Sequence, residues 1–368
     1  MIEVADIFRQ FGDSYLAKYG DSMLPSHKRV IQDIIECRTE AMGGHLYQCD
    51  TCHQPTYSYH SCKNRNCPKC HTAQTQKWLE QRTEEMLPVP YFHITITIPE
   101  SLRTMFRSNQ KDLYNIFMKA SAEAILELAR DPQHIGGLVG ILMVLHTWSQ
   151  QLWYHPHLHC LVPGGGVTAN GDWQPAKNDF IFPMKVLSKL VRGKVLSTIK
   201  KERPDINLPE SAWQQNWVTQ CTPWGEGEKA VLDYLARYVF RIAISNARIV
   251  TMDENTVTFK YKNRKQKRWK TCQVSGEEFM RRFLQHVLPQ GFHKVRYYGL
   301  WNPTKRHLIQ KIQLLFILDP SSVQNPLVDQ SALEVTNNKI EAGAACPCCK
   351  TGKLLLMWRI PKPQSRSP

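Results

Sequence analysis

The sequence predicts an α+β protein in which helices back an antiparallel sheet, and a ferredoxin-like arrangement is the expected variant. Strictly alternating segments such as YFHITITIP (91–99) are typical of strands, and helical segments separate them along the chain. Several neighbouring strands are joined by short turns typical of hairpins, which favours antiparallel pairing. A segment rich in cysteine, histidine and asparagine precedes these strands, so a small zinc-binding domain is expected before the sheet.

Charge and length narrow the class of protein. The 368 residues are enough for two or three domains, and 47 Lys and Arg against 32 Asp and Glu give a net charge of +15. Such an excess favours a polyanionic partner, either nucleic acid or an anionic membrane. No run of about 18 apolar residues is present, and the N-terminus lacks the basic and then apolar start of a signal peptide. We therefore expect a cytosolic protein that binds nucleic acid.

The N-terminal quarter is predicted to be helical and then metal-binding. Apolar residues recur at helical spacing through residues 1–36. Short turns occupy 37–71, and a helix is expected at 72–86, where the prolines that follow end it. The predicted domains are a helical and zinc-binding domain at 1–88, a sheet domain at 89–318, and a linker with a cysteine-containing tail at 319–368.

The sheet domain is predicted to mix helices with strands. Helices are expected at 110–130, 183–202 and 226–241 and in the serine-capped segment 275–288, and strands within 138–148, at 154–162 and at 292–301. Two hairpins are expected, one with its turn at Asn170 and Gly171 and the other around residues 253–255.

Twelve cysteines in a reducing compartment indicate thiolate metal sites rather than disulfides. Cys49-x2-Cys52 and Cys67-x2-Cys70 are separated by fourteen residues, which is typical of a zinc ribbon, where two pairs of thiolates close a tetrahedron. A structural Zn²⁺ is therefore predicted at these four residues. The ligands left over for a second zinc, or for a different division of the set, are Cys37, His45, His60, Cys62 and His71. The segment CPCC (346–349) is either half a zinc site or a cysteine-rich turn.

Three histidines alternate in the segment YHPHLHCLVPGGG (154–166). On a strand, His155, His157 and His159 share one face, whereas Leu158 and Cys160 lie on the other. Neutral imidazoles are common ligands for divalent ions, so this face is a candidate metal site. The alternative is an edge strand that is rich in histidine.

Two tyrosines and a basic run complete the candidate residues. Tyr234 and Tyr238 are four residues apart, so on a helix they lie on one face, either as functional groups or as part of an ordinary buried stripe. In the run FKYKNRKQKRWK (259–270), aromatic rings interleaved with cations are typical of a strand that binds nucleic acid, and a solvated hairpin face is the alternative. The candidate DNA contacts are Lys260, Lys262, Arg264, Lys265, Lys267, Arg268 and Trp269.

The linked motifs resemble a known family. HPHLH followed by PGGG, and later YLARY on a helix, resemble the HUH endonucleases, and specifically the two-tyrosine rolling-circle transposases of bacterial insertion sequences. The segment CDTCHQPTYSYHSCKNRNCPKCH looks like the zinc-binding domain of those transposases, and the motifs follow the family's order over about residues 30–300. The resemblance implies a ferredoxin-like HUH nuclease core at 89–318 and a zinc module that helps to recognise the end of the element.

The resemblance also implies a catalytic metal. His157 and His159 correspond to the HUH ligands of Mg²⁺ or Mn²⁺, although imidazole ligands alone would favour zinc or nickel. A third ligand is expected on a neighbouring element. His146 is the first choice and Gln150 the alternative, and His155 is a further candidate that precedes a proline and would support the site.

The implied activity is nicking and rejoining of single-stranded DNA at the insertion-sequence ends and target. Tyr234 and Tyr238 would be the nucleophiles that form a 5′-phosphotyrosine, and no nucleotide cofactor is required. Because the chain lacks a G-x4-GK-[ST] loop, a host helicase is a candidate partner for strand separation. The expected location is the bacterial cytoplasm, at the nucleoid. The alternatives are a plasmid rolling-circle replication initiator and a zinc-dependent DNA-binding regulator without catalysis.

Overall fold

A computed structural model describes residues 2–70, 86–176, 181–226, 234, 238–239, 242–263, 266–318 and 340–363. The helices are α1 Val4–Tyr19, α2 Pro25–Glu36, α3 Arg103–Ser108, α4 Gln110–Arg130, α5 Met184–Glu202, α6 Ser211–Gln214, α7 Gly276–Leu284 and α8 Arg306–Leu318. The strands are β1 Gly44–Cys49, β2 Pro55–Tyr59, β3 Pro90–Thr97, β4 Gly140–Trp148, β5 Tyr154–Pro163, β6 Gly165–Val167, β7 Trp173–Pro175, β8 Val218–Glu226, β9 Ile249–Met252, β10 Thr256–Asn263, β11 Arg268–Ser275, β12 Val295–Gly299 and β13 Leu354–Ile360.

The chain forms two compact units, each assembled from separate segments. The first unit comprises Met1–Gln76, Ile244–Val287 and Asp329–Pro368, and the second comprises Lys77–Ala243 and Leu288–Val328. The predicted tail joins the first unit because β13 pairs antiparallel with β1. Backbone hydrogen bonds between distant segments thus bring the tail into the first unit. The periodicity of apolar residues along the sequence carries no information on such bonds.

The second unit is built on a five-stranded sheet with the order β12-β4-β5-β3-β8, in which neighbouring strands are antiparallel. Alternate residues of the central strands enter one apolar core, which includes Ile141, Met143, Leu145, Leu158, Cys160 and Val162. Helices α4 and α5 close this face with side chains such as Tyr114, Phe117 and Val191. The predicted mixture of helices with antiparallel strands is confirmed.

The first unit contains two three-stranded sheets, with the orders β13-β1-β2 and β11-β10-β9. Helix α7 packs on α1 through Phe8 and Phe283, whose ring centroids are 5.1 Å apart in an edge-to-face arrangement. The predicted serine cap of α7 is present, since the backbone N–H of Glu278 donates to the Ser275 hydroxyl at 3.2 Å.

The predicted hairpins form through local polar contacts. Between β9 and β10, the Asp253 carboxylate accepts from the backbone N–H of Asn255 at 2.8 Å, and β6 and β7 are joined by a turn containing Gly171 at φ 87°. Residues 72–85 of the helix predicted at 72–86, and most of the helix predicted at 226–241, lie outside the described residues. Among the described helices, none is long and apolar enough to cross a membrane.

Two glycines of the second unit provide a matched test of backbone packing. Gly299 and Gly291 both have positive φ, at 61° and 72°. A Cβ on Gly299 would lie 1.9 Å from the Val139 carbonyl oxygen, whereas a Cβ on Gly291 would meet nothing within 4 Å. We expect Gly291→Ala to lower the free energy of unfolding by about 1–2 kcal/mol, the cost of a left-handed alanine, and Gly299→Ala by roughly 3 kcal/mol or more. Urea denaturation measures both, and equal losses would contradict the packing described.

Candidate active site and metal centres

Three histidines come together on the sheet face opposite the α4 and α5 core. The antiparallel register places His146 of β4 opposite His157 of β5, and Val144 opposite His159. Cross-strand partners share a face, so the three imidazoles are neighbours. One ligand atom of each lies within 4.8 Å of the others, and the residues are only 2–9% exposed. The structure thus groups His146 with the two histidines of the H-x-H motif.

Two of the three imidazoles are held by a backbone carbonyl through one of their nitrogens. The Nδ1–H of His157 donates to the His155 carbonyl at 2.6 Å, and the Nε2–H of His146 donates to the Tyr238 carbonyl at 2.6 Å. A carbonyl oxygen can only accept, so these bonds determine which nitrogen carries the proton and which presents a lone pair. This is the support that metal-binding histidines ordinarily have, so His146 and His157, grouped with His159, fit a divalent cation.

His93 of β3 is a site residue that sequence reasoning missed. Its Nε2 lies 2.9 Å from Nδ1 of His159, and its ring packs edge-to-face on Trp224 at 4.9 Å. Because Phe92 and Ile94 enter the apolar core, the alternation in YFHITITIP directs His93 to the histidine face. The alternation could have indicated the face on which His93 lies. The pairing of β3 with β5 then brings that face beside His159.

Of the other two candidate ligands, His155 is not a member of this group. Gln150 is in the turn between β4 and β5. His155 accepts a hydrogen bond at Nδ1 from a guanidinium N–H of Arg103 at 3.0 Å, and it does not belong to the three-histidine group.

The two tyrosines of YLARY lie at the histidine face in different surroundings. The Tyr238 ring is half-buried, with its centroid 4.0 Å from that of His159 and 4.7 Å from that of His93. Tyr234 is fully buried, and its hydroxyl donates to the His159 carbonyl at 2.6 Å. Burial raises the pKa of Tyr234 well above its usual value. A phenol beside a cation site provides an oxygen nucleophile next to a group that can stabilise negative charge.

The cysteines form two groups of four, and this division corrects the one predicted from spacing. Cys49 and Cys52 were predicted to share a zinc with Cys67 and Cys70, but the pairs lie in separate groups. The first group is Cys37, Cys62, Cys67 and Cys70, and the second is Cys49, Cys52, Cys346 and Cys349. The grouping differs from that expected because β1 pairs with β13, which brings CPCC to Cys49 and Cys52.

The histidines considered as zinc ligands are outside both cysteine groups. His45 and His60 pack edge-to-face on each other with ring centroids 5.0 Å apart. Neither belongs to a cluster of metal-ligating side chains in the described part of the chain, and His71 lies outside that part.

Known proteins resemble this chain over nearly its whole length. A family model described as "Putative transposase" (Y2_Tnp) matches residues 140–307, which include β4, β5 and both tyrosines. Over 377 residues the chain is 37% identical to "Putative transposase y4qJ" of Sinorhizobium fredii, which covers 96% of this chain and 94% of the relative. The chain belongs to the Y2_Tnp transposase family.

The other comparisons agree with this membership. A family model described as "Transposase zinc-binding domain" (Zn_Tnp_IS91) matches residues 7–98 of the transposase. The transposase for insertion sequence element IS801 of Pseudomonas savastanoi pv. phaseolicola is 26% identical over 289 residues, which cover 73% of this chain and 68% of the relative. No solved structure matches.

The basic run of the transposase forms the hairpin of β10 and β11. Lys262 pairs with Trp269, so the two side chains share a face, and the Lys260 ammonium lies 5.9 Å from the centroid of the Trp269 ring. The opposite face is apolar, since Phe259 is buried against Phe279. Lys267 and Arg268 are also exposed, and Arg264 and Lys265 lie outside the described residues. The hairpin therefore presents exposed lysine and arginine side chains together with the exposed ring of Trp269.

The environment of Tyr234 predicts a pH dependence of stability. The folded protein holds the phenol proton more tightly than the unfolded chain, so the free energy of unfolding should fall as the pH rises past about 10. We expect Tyr234→Phe to lose about 1 kcal/mol at pH 7 through the missing hydrogen bond and to show a shallower fall between pH 9 and 11. Denaturant titrations across this range measure both effects. Tyr238→Phe is the control, and an equal change in its pH profile would contradict the assignment.

Proposed function

We propose that this transposase nicks and rejoins single-stranded DNA at the ends of an insertion sequence through an HUH nuclease site on a ferredoxin-like core. The observation that carries the proposal is the Tyr238 ring lying against His159, one of three grouped histidines, of which His157 has its proton position determined by the backbone. Family membership supports the cleavage and transfer of DNA strands as the general activity. The proposed location is the bacterial cytoplasm, at the nucleoid, where a host helicase would separate the strands.

The proposed metal ligands are His146, His157 and His159. A Mg²⁺ or Mn²⁺ ion bound there would act as a Lewis acid toward the scissile phosphate. The backbone carbonyls and His93 hold the rings in place before DNA arrives, so little reorganisation accompanies binding.

Tyr238 is proposed as the first nucleophile. Its phenol oxygen attacks the phosphorus and loses its proton, while the bond from phosphorus to the 3′ oxygen breaks and that oxygen takes up a proton. The products are a 5′-phosphotyrosine and a free 3′-OH, and the new ester conserves the bond for later joining.

A second nucleophile is needed because an esterified tyrosine cannot attack again. Tyr234 is proposed for this role. Its hydroxyl is engaged by the His159 carbonyl, so it would act only after leaving that contact. The order of use is thus proposed to follow from the difference in burial between the two phenols.

The proposed DNA contacts of the β10–β11 hairpin are electrostatic and aromatic. Lys260, Lys262, Lys267 and Arg268 would contact phosphates, and a base would stack on Trp269, which is 58% exposed. Arg264 and Lys265, which lie outside the described residues, belong to the same proposed set.

Removing the histidines should separate cleavage from binding. We expect His157→Ala, His159→Ala and His146→Ala each to lower nicking of a labelled single-stranded end oligonucleotide at least 100-fold, because cleavage depends on one ion. DNA affinity should change less than threefold, because binding depends on distributed positive charge. Gel-based nicking with Mn²⁺ and fluorescence anisotropy measure the two quantities.

His155→Ala is the matched control on the same strand, because it leaves the backbone carbonyl that holds His157 in place. Nicking should stay within about threefold of wild type. Parallel loss of cleavage and binding in the other variants would indicate misfolding, and wild-type cleavage would remove the three residues from the site.

Replacing each tyrosine with phenylalanine should affect covalent-adduct formation to different extents. We expect Tyr238→Phe to lose the covalent adduct with the end oligonucleotide at least 100-fold, and Tyr234→Phe to form the adduct but fail to complete transposition. Phe preserves ring packing, so these losses would report the hydroxyls. Denaturing gels detect the adduct and a donor-plasmid assay detects transposition. An adduct formed by the double variant would show that the nucleophile lies elsewhere, as expected if the protein were a regulator without this chemistry.

A further inference from the structure

We propose that the two ends of the chain close a second zinc site, with thiolate ligands Cys49 and Cys52 from the N-terminal region and Cys346 and Cys349 from the C-terminal region. The zinc-binding family model ends at residue 98, so half of this ligand set lies far outside it. The inference is independent of the proposed nuclease chemistry.

The spacing of the sulfur atoms fits one tetrahedral ion. The Sγ atoms of Cys49 and Cys349 are 3.6 Å apart, and those of Cys52 and Cys346 are 3.7 Å apart. Zinc–sulfur bonds of about 2.3 Å at tetrahedral angles place neighbouring sulfurs about 3.8 Å apart. A disulfide needs a separation of about 2.05 Å, so these contacts are not disulfides. Four soft thiolates select zinc over Mg²⁺ or Ca²⁺.

The two halves of the site have the same local structure. The residue after each pair, His53 or Lys350, has a positive φ, at 57° and 62°. The N–H of His53 donates to the Cys49 carbonyl at 3.1 Å, and that of Lys350 donates to the Cys346 carbonyl at 2.9 Å. The Cys49 and Cys346 sulfurs also each accept from a backbone N–H at 3.4 Å. These bonds stabilise thiolate charge, so both turns are shaped for a metal ligand.

Gly352 allows the second turn to approach the first. A Cβ on Gly352 would lie 2.4 Å from the Cys49 sulfur, and the N–H of Gly352 donates to the Cys349 sulfur at 3.3 Å. Beside it, the N–H of Lys353 donates to the Asp50 carboxylate at 2.9 Å. The two cysteine-containing turns are therefore held against each other, and the backbone of Gly352 lies close to the sulfurs of both Cys49 and Cys349.

Among the described residues, the apolar cluster beside this sheet is small. The buried residues of this cluster are Tyr47, Cys49, Cys346 and Leu354. Most of β13 is exposed, including Leu355, Met357 and Trp358 at 52%, 55% and 63%. A structural metal adds its binding free energy to folding where few apolar side chains are buried, and the four thiolates are its ligands here.

Metal analysis of the reduced full-length protein tests the site. We expect two zinc ions per chain in wild type, one in Cys346→Ser and in Cys349→Ser, and two in Cys348→Ser. Cys348 is the matched control because it lies within the same turn but is exposed and outside the group. Cys349→His should restore the second ion, since imidazole is also a zinc ligand. One zinc in wild type, or two in both serine variants, would overturn the proposal.

Alkylation of wild type provides a test that does not depend on the folding of variants. Zinc-bound thiolates react slowly, so Cys346 and Cys349 should be labelled by iodoacetamide at least tenfold more slowly than Cys348. A chelator should remove the difference. Mass spectrometry of the C-terminal peptide reads all three positions, and equal labelling before chelation would refute the site.

Discussion

The antiparallel pairing of β5 with both β3 and β4 is the constraint on which the candidate active site depends. It places His146 opposite His157 and Thr95 opposite His159. A slip of one residue in the register would turn every histidine of β5 into the apolar core and bring Leu158 to the other face. The register is stabilised by that core, because burying a leucine contributes about 1.5–3 kcal/mol. Apolar packing on one face therefore positions polar chemistry on the other.

The YLARY tyrosines connect the site to its scaffold. The Tyr234 hydroxyl donates to the carbonyl of His159, and the carbonyl of Tyr238 accepts from the His146 ring. These two bonds link the tyrosine segment to β5 and β4, so a shift of that segment would change the support of a proposed metal ligand. Under the proposed mechanism, using Tyr234 as a nucleophile would require one of these structural bonds to break.

Sequence patterns predicted those features that are local. Alternation predicted the shared face of His157 and His159, and the cap at Ser275 followed from local chemistry. His93 was missed because a single histidine in an alternating strand is a weak signal until its pairing partner is known. The observed grouping of the cysteines could not be read from spacing, because Cys49 meets Cys349 across 300 residues and no spacing rule applies over such a separation. The first compact unit is built from three separate segments, and local patterns carry no information on such an assembly.

The sheet that joins the chain ends has a consequence during protein synthesis. Strand β1 has β2 on one side and β13 on the other, so its second edge stays open until the ribosome has released β13. Unpaired edges invite pairing with other chains. A nascent chain must therefore carry this exposed edge through the synthesis of the whole second unit. A message truncated before β13 would yield a protein that contains every proposed catalytic residue and a permanently open edge.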